Sequence, residues 1–248
     1  LLGQNVNAYH GESGSGGVWS LGRLIRALAE VNGLERIRYT TSHPLDMDDE
    51  LITAHGDIPQ LMPYLHLPIQ SGSNHILQAM NRHHTNDIYL SVIDKLRNAR
   101  PDIAMSGDFI VGFPGESDQD FSATLSLVNK VGYASAYSFK YSPRPGTPAA
   151  NINNQVPESV KSERLESLQQ LLKAQQFAFN KNTEGKTVNI LVERTGRREG
   201  QMAGRSPYMQ AVNFIGTPDQ IGQIVPCQLS AARQNSMMGE IINLKGVA

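Results

Sequence analysis

The sequence is almost devoid of cysteine, with Cys227 as the single one in 248 residues. One thiol cannot form an internal disulfide, and it cannot supply the three or four thiolates that an iron–sulfur cluster needs. The expected role of Cys227 is that of a small buried hydrophobe. Such sparing use of cysteine is typical of a reducing, cytoplasmic setting.

Long apolar runs are also missing. None approaches the roughly 20 residues needed to cross a bilayer, and no stretch resembles a signal peptide, so we expect no membrane partner. Neither sign of charge predominates, with 22 Lys and Arg against 23 Asp and Glu. The charges are unevenly distributed, because residues 183–248 carry 7 basic and 5 acidic side chains. This small basic surplus is a weak indication of nucleic-acid contact.

The most informative stretch is DFIVGFPGE, from Asp108 to Glu116. Its apolar run, Phe109 to Val111, is typical of a strand buried on both faces. Two glycines and Pro114 then predict a sharp turn before a helical pattern. Ligands of α/β proteins bind at such corners, at the carboxyl ends of strands. A tight turn without a ligand is the alternative, and this stretch alone does not separate the two.

Strand and helix patterns alternate about five times along residues 1–150. Strands are predicted at 37–41, 64–69, 103–111 and 136–141, and a long helix at 157–182. Without hairpin signals between them, the strands should be parallel with right-handed crossovers, in a doubly wound sheet or in part of a barrel. Polar clusters follow the strands and should gather on one rim; they are Gln4-Asn5, Ser42-His43, Gln70-Ser71 and the glycine corner.

The pattern changes to short strands after Lys186. Alternation at 188–192, a turn at 196–204 and β-type runs at 209–215, 224–229 and 239–244 predict a small β-barrel of the oligonucleotide-binding type. The predicted domain plan is therefore a sheet domain at 1–150, a bridging helix at 151–182 and the barrel at 183–248. The Gly- and Ser-rich residues 10–17 predict a flexible connection.

Five strings occur in order along the first 150 residues: LLGQNVNAY, TSHP, LHLPIQSGSNHILQAMNRHHT, DFIVGFPGES and YSPRPGTPAA. Together they resemble the radical S-adenosylmethionine methylthiotransferases, and the C-terminal module resembles the TRAM domain of that family. The resemblance implies an α/β fold, a partial radical-SAM-type (β/α) barrel with parallel strands, followed by a small OB-like TRAM barrel.

Within the family, LPIQSGS followed by MNR is similar to the branch that methylthiolates N(6)-isopentenyladenosine beside the anticodon of bacterial tRNA. Other branches act on threonylcarbamoyladenosine in tRNA or on an aspartate of a ribosomal protein. The resemblance implies tRNA as the partner, S-adenosyl-L-methionine and two [4Fe–4S] clusters as cofactors, and a reductant and a sulfur donor for the full-length enzyme.

One feature of the family is missing from this sequence. Its relatives hold one cluster with a CxxxCxxC loop after the first barrel strand and another in an N-terminal domain, and neither is present. We therefore expect a fragment that starts after the first strand and helix, and that by itself neither holds a cluster nor turns over. A CxxxCxxC loop encoded within about 40 residues upstream of Leu1, roughly one βα unit, would support this expectation.

Matching the family's motifs assigns ten residues to S-adenosylmethionine. The polar ones are Gln4, Asn5, Ser42, Gln70, Ser71 and Asp108, the last of which is also interpretable as a structural cap. Those expected to offer backbone groups and apolar walls to adenine are Val111, Gly112, Phe113 and Tyr141.

A second set of residues is expected to contact tRNA. Near the rim these are His43, Arg82, His83 and Arg144, for which exposed loop polars are the alternative interpretation. In the C-terminal module Arg194, Arg197, Arg198 and Arg205 are expected to hold the backbone, with Tyr208 and Phe214 available for stacking. A solvated loop is the alternative for these arginines.

Two other functions stay open at this point. A non-catalytic RNA-binding protein built on a barrel scaffold fits the missing cysteines. A metal-independent barrel enzyme, such as an aldolase, lacks a convincing lysine or carboxylate pair on the strand ends.

Overall fold

The computed structural model describes residues 1–12, 14 and 16–242. Ser13 and Ser15 of the predicted flexible connection, and residues 243–244 of the last predicted strand, lie outside the described residues. The chain divides into two compact units, Leu1–Leu172 and Lys173–Ala248. No helix among the described residues is long and apolar enough to span a membrane.

The first unit alternates helices and strands. Its helices are α1 (Leu21–Ala29), α2 (Asp49–Asp57), α3 (Asn74–Ala79), α4 (Asn86–Ala99), α5 (Asp118–Val131) and the first part of α6 (Glu158–Lys181). Its strands are β1 (Gly11–Glu12), β2 (Val18–Trp19), β3 (Tyr64–His66), β4 (Ala104–Val111) and β5 (Ser135–Lys140). Five of the helices begin after a residue whose side chain accepts a backbone N–H of the first turn, namely Ser20, Asp48, Ser73, Thr85 and Ser117.

The main sheet is parallel, with β4 between β3 and β5. Single backbone contacts extend it beyond β3, where Ile37 bridges Leu61 in parallel and the Thr40 N–H donates to the Leu1 carbonyl oxygen. Neighbouring segments therefore follow their order along the chain, as in a βα barrel opened on one side. The predicted parallel α/β arrangement is confirmed, although segment 37–41 forms a single bridge instead of a full strand.

The two faces of this sheet differ because side chains alternate along each strand. Leu65, Leu67 and Phe109 are fully buried and belong to the core formed with the helices. On the opposite face, His66 and Asp108 are only partly buried. We call this second face, with His66, Ser106, Asp108 and Tyr137, the open face of the sheet.

The connection at residues 10–17 differs from its prediction. Gly11–Glu12 and Val18–Trp19 pair as a short antiparallel ladder, with Gly16 in the left-handed region at φ 81°. Trp19 lies in β2, and α1 starts after its N-cap, Ser20. The sequence contains the glycines that permit this turn, but two-residue strands leave no periodic signal.

The second unit contains the end of α6 and a closed barrel. Its strands are β6 (Thr187–Thr195), β7 (Gln201–Arg205), β8 (Ala211–Ile215), β9 (Ile224–Ala232) and β10 (Met237–Ile241), closed in the order β10-β8-β7-β6-β9. Neighbours are antiparallel except β10 and β8, which are parallel. The predicted small β-barrel is confirmed.

Strand β7 corrects the interpretation of residues 196–204 as one turn. The turn is shorter and ends at Gly200, whose φ of 67° lies in the left-handed region that favours glycine. Gly204 in β7 is also constrained, since a Cβ there would lie 2.3 Å from the Leu191 carbonyl oxygen of β6. The run predicted at 209–215 begins at Ala211 instead of Met209, because Met209 has a φ of 63° and cannot continue a strand.

Candidate functional site

A cavity of about 650 Å³ opens at the carboxyl ends of the sheet segments, and we call it the rim cavity. Its lining includes five predicted cofactor residues, Gln4, Asn5, Ser42, Gln70 and Asp108, and two predicted RNA residues, His43 and Arg82. These seven residues come from five separate segments of the first unit, four of them in the sheet and the fifth, with Arg82, after α3. The sheet therefore brings them to one place, as the order of its strands requires.

Gln70 owes its position to an unusual backbone conformation. Its φ of 80° lies in the left-handed region, which is rare for residues other than glycine. Both of its backbone groups are fixed by β4, since its N–H donates to the Asp108 carbonyl oxygen and its carbonyl oxygen accepts from the Ile110 N–H, each at 2.9 Å. Strain maintained by its surroundings is common at binding sites.

Ser42 is buried at the rim cavity, and its hydroxyl has no hydrogen-bond partner in the part of the chain that the structure describes. The neighbouring backbone is held by Asn7, whose side chain donates to the His43 carbonyl oxygen and accepts from the His43 N–H, both at 2.8 Å. Asn5 donates to the Asp46 carboxylate at 2.6 Å. A buried hydroxyl without a partner is costly and is expected to receive one from a ligand.

A second cavity, of about 580 Å³, lies beside the ends of β4 and β5, and we call it the apolar cavity. Ile110, Phe113, Phe139 and Tyr141 give it a largely apolar wall, and Arg144 also lines it. The rings of Phe113 and Tyr141 meet edge to face with centroids 5.1 Å apart. The buried Tyr141 hydroxyl, like that of Ser42, has no hydrogen-bond partner within the described residues.

The glycine corner is held by buried charges on α6. Glu116 accepts from the Gly112 N–H at 2.7 Å and from the Arg164 guanidinium at 2.8 Å, and Arg164 also reaches Asp118 at 2.7 Å. Burial raises the pKa of Glu116, and the Gly112 N–H and Arg164 oppose that rise. Lys161 packs against the same turn, because a Cβ on Gly112 would lie 2.3 Å from its Cγ.

Sequence reasoning missed Arg164 and Lys161. They lie in a long helix whose pattern predicted only packing, and nothing local to that helix indicates which turn it supports. Lys161 also places its Nζ 5.6 Å from the centre of the Tyr141 ring. These two cations therefore position both the glycine corner and a wall of the apolar cavity.

Three predicted cofactor residues are engaged elsewhere. Ser71 is fully buried, with its hydroxyl 3.3 Å from that of Thr124 in α5, so it faces the helix and not the rim cavity. The Gly112 N–H is taken by Glu116, and the Val111 carbonyl oxygen accepts from the Tyr141 N–H at 2.8 Å. The Ser71 hydroxyl therefore serves the fold and not a ligand, whereas the role of Val111 and Gly112 beside adenine stays a prediction.

His66 is a cavity residue that the motif match overlooked. It lines the rim cavity, with Nδ1 3.0 Å from the Ser106 hydroxyl and Nε2 3.5 Å from an Asp108 carboxylate oxygen. A signal was present in the sequence, since His66, Pro68 and Gln70 recur with the period of two that places side chains on one face of a strand.

The histidines at the rim are of two kinds. His83 is exposed, whereas His84 is buried and meets His43 edge to face with centroids 5.2 Å apart. Burial, with help from His43 and Arg82, lowers the pKa of His84 to about 4. Burial also lowers the pKa of His43, so both rings are neutral near pH 7.

The barrel has a cavity of its own, of about 760 Å³, which we call the arginine cavity. All four predicted arginines line it: Arg194, Arg197, Arg198 and Arg205. A fifth, Arg233, joins them from the end of β9 and was missed because it is distant in the sequence. Glu193 lies 3.6 Å from Arg205 and offsets part of this charge.

The two predicted stacking residues of the barrel differ. Phe214 is 1% exposed and belongs to the barrel core, so its prediction as a stacking residue is wrong. Tyr208 is half-buried and packs edge to face on Phe179 with centroids 5.9 Å apart. Of the two rings, only that of Tyr208 reaches the surface.

The residues present do not fit an iron–sulfur cluster. Cys227 is fully buried in the barrel core, and burial raises the pKa of its thiol to about 11. Only a thiolate binds iron in such a cluster, so this thiol is unsuited to the task. Within residues 1–12, 14 and 16–242, no group of three or more His, Cys, Asp or Glu side chains could hold a metal ion.

Comparison with protein families identifies both parts of the chain. Residues 13–128 match the Radical SAM superfamily, and residues 181–242 match the TRAM domain. The chain therefore carries a radical SAM domain followed by a TRAM domain.

Two solved structures are similar to parts of the chain. Coproporphyrinogen III oxidase of Escherichia coli, described as a radical SAM enzyme, is 12% identical with a TM-score of 0.49, and the match covers 91% of this chain and 56% of that one. The radical S-adenosylmethionine methyltransferase TsrM of Kitasatospora setae, with cobalamin and a [4Fe-4S] cluster bound, is 15% identical with a TM-score of 0.43, over 52% and 26% of the two chains. This chain thus spans little more than half of the first protein and about a quarter of the second.

Proposed function

We propose that the chain contributes the cofactor cavity and the RNA-holding module of a tRNA methylthiotransferase that acts on N(6)-isopentenyladenosine beside the anticodon. The observation that carries the proposal is the rim cavity, in which polar residues from four sheet segments meet around a buried, unpartnered Ser42 hydroxyl. The TRAM match and the arginine cavity support RNA as the partner.

S-adenosylmethionine suits the two cavities of the first unit, because it has a charged amino-acid end and a flat apolar adenine. Gln4, Asn5, Ser42 and Gln70 would bind the amino, carboxylate or ribose groups at the rim cavity. The apolar cavity would take the adenine against the wall that Phe113 and Tyr141 form, where the unpartnered Tyr141 hydroxyl can donate to a ring nitrogen. When bound, and supplied with an electron from outside this sequence, this cofactor would provide radical chemistry.

The task of this chain's own residues is to position the cofactor and to exclude water from it. Phe113 is 6% exposed and closes one wall of the apolar cavity, which keeps a reactive group away from solvent. Arg164 and Lys161 fix that wall through the glycine corner and Tyr141. Cluster ligands would have to come from outside this sequence, so no chemical step is assigned to these residues.

The tRNA would be held chiefly by charge. Arg194, Arg197, Arg198 and Arg205 would bind phosphates in the arginine cavity, with Tyr208 as the stacking residue. Near the target base, Arg82 and His83 would add contacts, together with His43 and Arg144. Phosphate contacts of this kind give affinity without sequence preference, so the choice of base must be made in the first unit.

The proposal is tested with anticodon stem-loops that differ only in one adenosine. We expect the chain, saturated with S-adenosylhomocysteine, to bind the stem-loop with N(6)-isopentenyladenosine more tightly than stem-loops with adenosine or threonylcarbamoyladenosine. Fluorescence anisotropy gives the three dissociation constants. Equal affinity for all three would refute the substrate, and preference for the threonylcarbamoyl form would transfer the chain to another branch of the family.

A non-catalytic RNA-binding protein remains the second candidate, because the only cysteine is buried in the barrel. Such a protein would bind RNA through the arginine cavity but would leave the rim cavity without a cofactor. Calorimetry with S-adenosylhomocysteine separates the two candidates, since only the enzyme proposal predicts binding. The prediction that the chain alone holds no cluster is checked separately by the absorption spectrum after reconstitution with iron and sulfide.

A further inference from the structure

The open face of the sheet carries a polar pair below the rim. His66 in β3 and Asp108 in β4 have side chains that are 18% and 28% exposed, and both line the rim cavity. Asp108 lies three residues before the end of β4 at Val111, which corresponds to about 10 Å along a strand. Gln70 of the rim lies beside this pair, since its N–H donates to the Asp108 carbonyl oxygen at 2.9 Å, so the pair and the rim residues share one cavity.

His66 is held in a defined orientation. Its strand neighbour across the sheet is Ser106, which is fully buried and places its hydroxyl 3.0 Å from Nδ1. Nε2 lies 3.5 Å from the Asp108 carboxylate, beyond ordinary hydrogen-bond length. The nearby negative charge favours the tautomer with its proton on Nε2, and Ser106 can then donate to Nδ1.

The pair therefore offers a donor and an acceptor side by side. The Nε2–H of His66 can donate to a ligand in the cavity. The Asp108 carboxylate can accept a hydrogen bond from the same ligand. Adenine carries the complementary groups in adjacent positions, an exocyclic amino donor beside a ring-nitrogen acceptor. His66 and Asp108 are 3.5 Å apart, too far to satisfy each other with a good hydrogen bond. A ligand that inserts both groups would give each of them a hydrogen-bond partner.

An aromatic ring completes this surface. Tyr137 is paired with Asp108 in the ladder between β4 and β5, so the two side chains lie on the same face. Tyr137 is 62% exposed as a residue, and its ring lies edge to face with that of His66, with centroids 6.4 Å apart. Exposed aromatic rings beside polar edge readers are the means by which proteins bind unpaired RNA bases.

We propose that His66, oriented by Ser106, and Asp108 read the edge of the unpaired adenine base of the RNA substrate, with Tyr137 packing against that base. The inference rests on the proposed function and adds to it the residues that select the base. His66 is then a specificity-determining residue.

The test compares two short single-stranded RNAs of equal length, one with a single adenine among uridines and one of uridine alone. We expect the chain to prefer the adenine RNA by roughly two- to tenfold, the value of one or two hydrogen bonds. His66→Ala should remove that preference and leave the affinity for oligouridine unchanged. His66→Gln, which keeps an N–H donor, should retain part of it.

His75→Ala is the matched control, because His75 lies in α3 with a side chain that is 67% exposed and does not line the rim cavity. It should keep the full preference. A direct readout is the NMR signal of the His66 ring in the unmodified chain, which should shift with the adenine RNA and not with oligouridine. This readout does not depend on a variant that folds.

The outcomes separate the inference from the function on which it rests. If the unmodified chain binds both RNAs equally, or if His66→Ala keeps the adenine preference, the inference is overturned and RNA binding stands. If His66→Ala instead weakens binding of S-adenosylhomocysteine, the pair serves the cofactor and the inference is also overturned. If neither RNA binds, the proposed function fails and takes the inference with it.

Discussion

The two units of the chain prepare binding surfaces in opposite ways. The sheet of the first unit stays open, and its candidate ligand groups are partly buried residues at strand ends. The barrel of the second unit is closed, and its candidate ligand groups are arginines at its surface. The first surface depends on exact backbone positions, whereas the second depends mainly on the number of charges.

What maintains each surface differs accordingly. The glycine corner of the first unit is held by the buried ion pair of Glu116 and Arg164, whose side chains are 1% and 8% exposed. In the second unit, Arg205 and Glu193 pair at the surface with 41% and 43% exposure, and apolar residues such as Phe214 fill the core. The site in the first unit is therefore held by buried polar groups. The charged surface of the barrel is supported by an ordinary apolar core.

The largest expected effect comes from removing the buried cation of the first unit. Arg164→Ala leaves the Glu116 carboxylate buried without its partner, and we expect the first unit to lose about 3–5 kcal/mol of stability. Urea unfolding followed by the fluorescence of Trp19, the only tryptophan of the chain, reports on this unit. The control is Arg26→Ala, whose exposed pair with Asp57 should contribute no more than about 1 kcal/mol. Equal losses in the two variants would mean that the corner is not held by buried charge.

The second-largest expected effect is that of salt concentration, which should weaken binding at the arginine cavity much more than binding at the rim cavity. If the arginine cavity makes about four phosphate contacts, raising salt from about 50 to 200 mM should weaken binding of single-stranded RNA about 50-fold. Binding of S-adenosylhomocysteine to the first unit should change less than about twofold, since short contacts in a cavity are poorly screened. Arg197→Gln should reduce the slope of log affinity for RNA against log salt concentration by the amount expected for one phosphate contact. RNA affinity that is insensitive to salt would contradict the arginine cavity as a phosphate site.

The success of sequence reasoning follows the same division. Strand ends are readable because period and turn residues are local, so the gathering of Gln4, Ser42, Gln70 and Asp108 could be predicted. Ser71 was misplaced because adjacent residues on an extended segment point in opposite directions, and the motif did not show which one faces the helix. The support by Arg164 could not be predicted, since it depends on a contact across 48 residues of chain.

The barrel shows the converse. Four of its five arginines were found because they cluster in the sequence, and surface charge needs no precise placement; Arg233 was missed because it is distant in the sequence. Phe214 was misassigned because an aromatic residue in an alternating strand is read equally well as a stacking residue or a core residue, and only closure of the barrel decides. Phe214 is 1% exposed and therefore belongs to the barrel core.

A smaller effect is expected from the unpartnered hydroxyl at the rim cavity. Ser42→Ala should leave the free chain as stable as before or more stable by up to about 1 kcal/mol, since a buried group without a partner is removed. The same change should weaken S-adenosylhomocysteine binding, which calorimetry measures. Ser126→Ala, at an exposed position of α5, serves as the control and should alter neither quantity. A clear loss of stability in Ser42→Ala would show that its hydroxyl already has a partner in the fold.

The smallest effect concerns acid, and it tests whether polar ties other than Arg164 hold the open sheet. Burial alone would raise the pKa of Asp120, but hydrogen bonds from Ser117 and Ser73 outweigh it and bring the pKa from 3.8 to about 2. A carboxyl whose pKa is lower in the folded state stabilises the fold above its unfolded pKa, and that stability is lost as the pH falls. The first unit should therefore lose stability between pH 3.8 and about 2. Asp120→Asn should flatten this acid limb of the Trp19 unfolding curve, whereas Asp94→Asn, at an exposed position of α4, should leave it in place. An unchanged acid limb in Asp120→Asn would mean that the tie between α5 and the start of α3 adds nothing, and that the first unit rests on its apolar core as the barrel does.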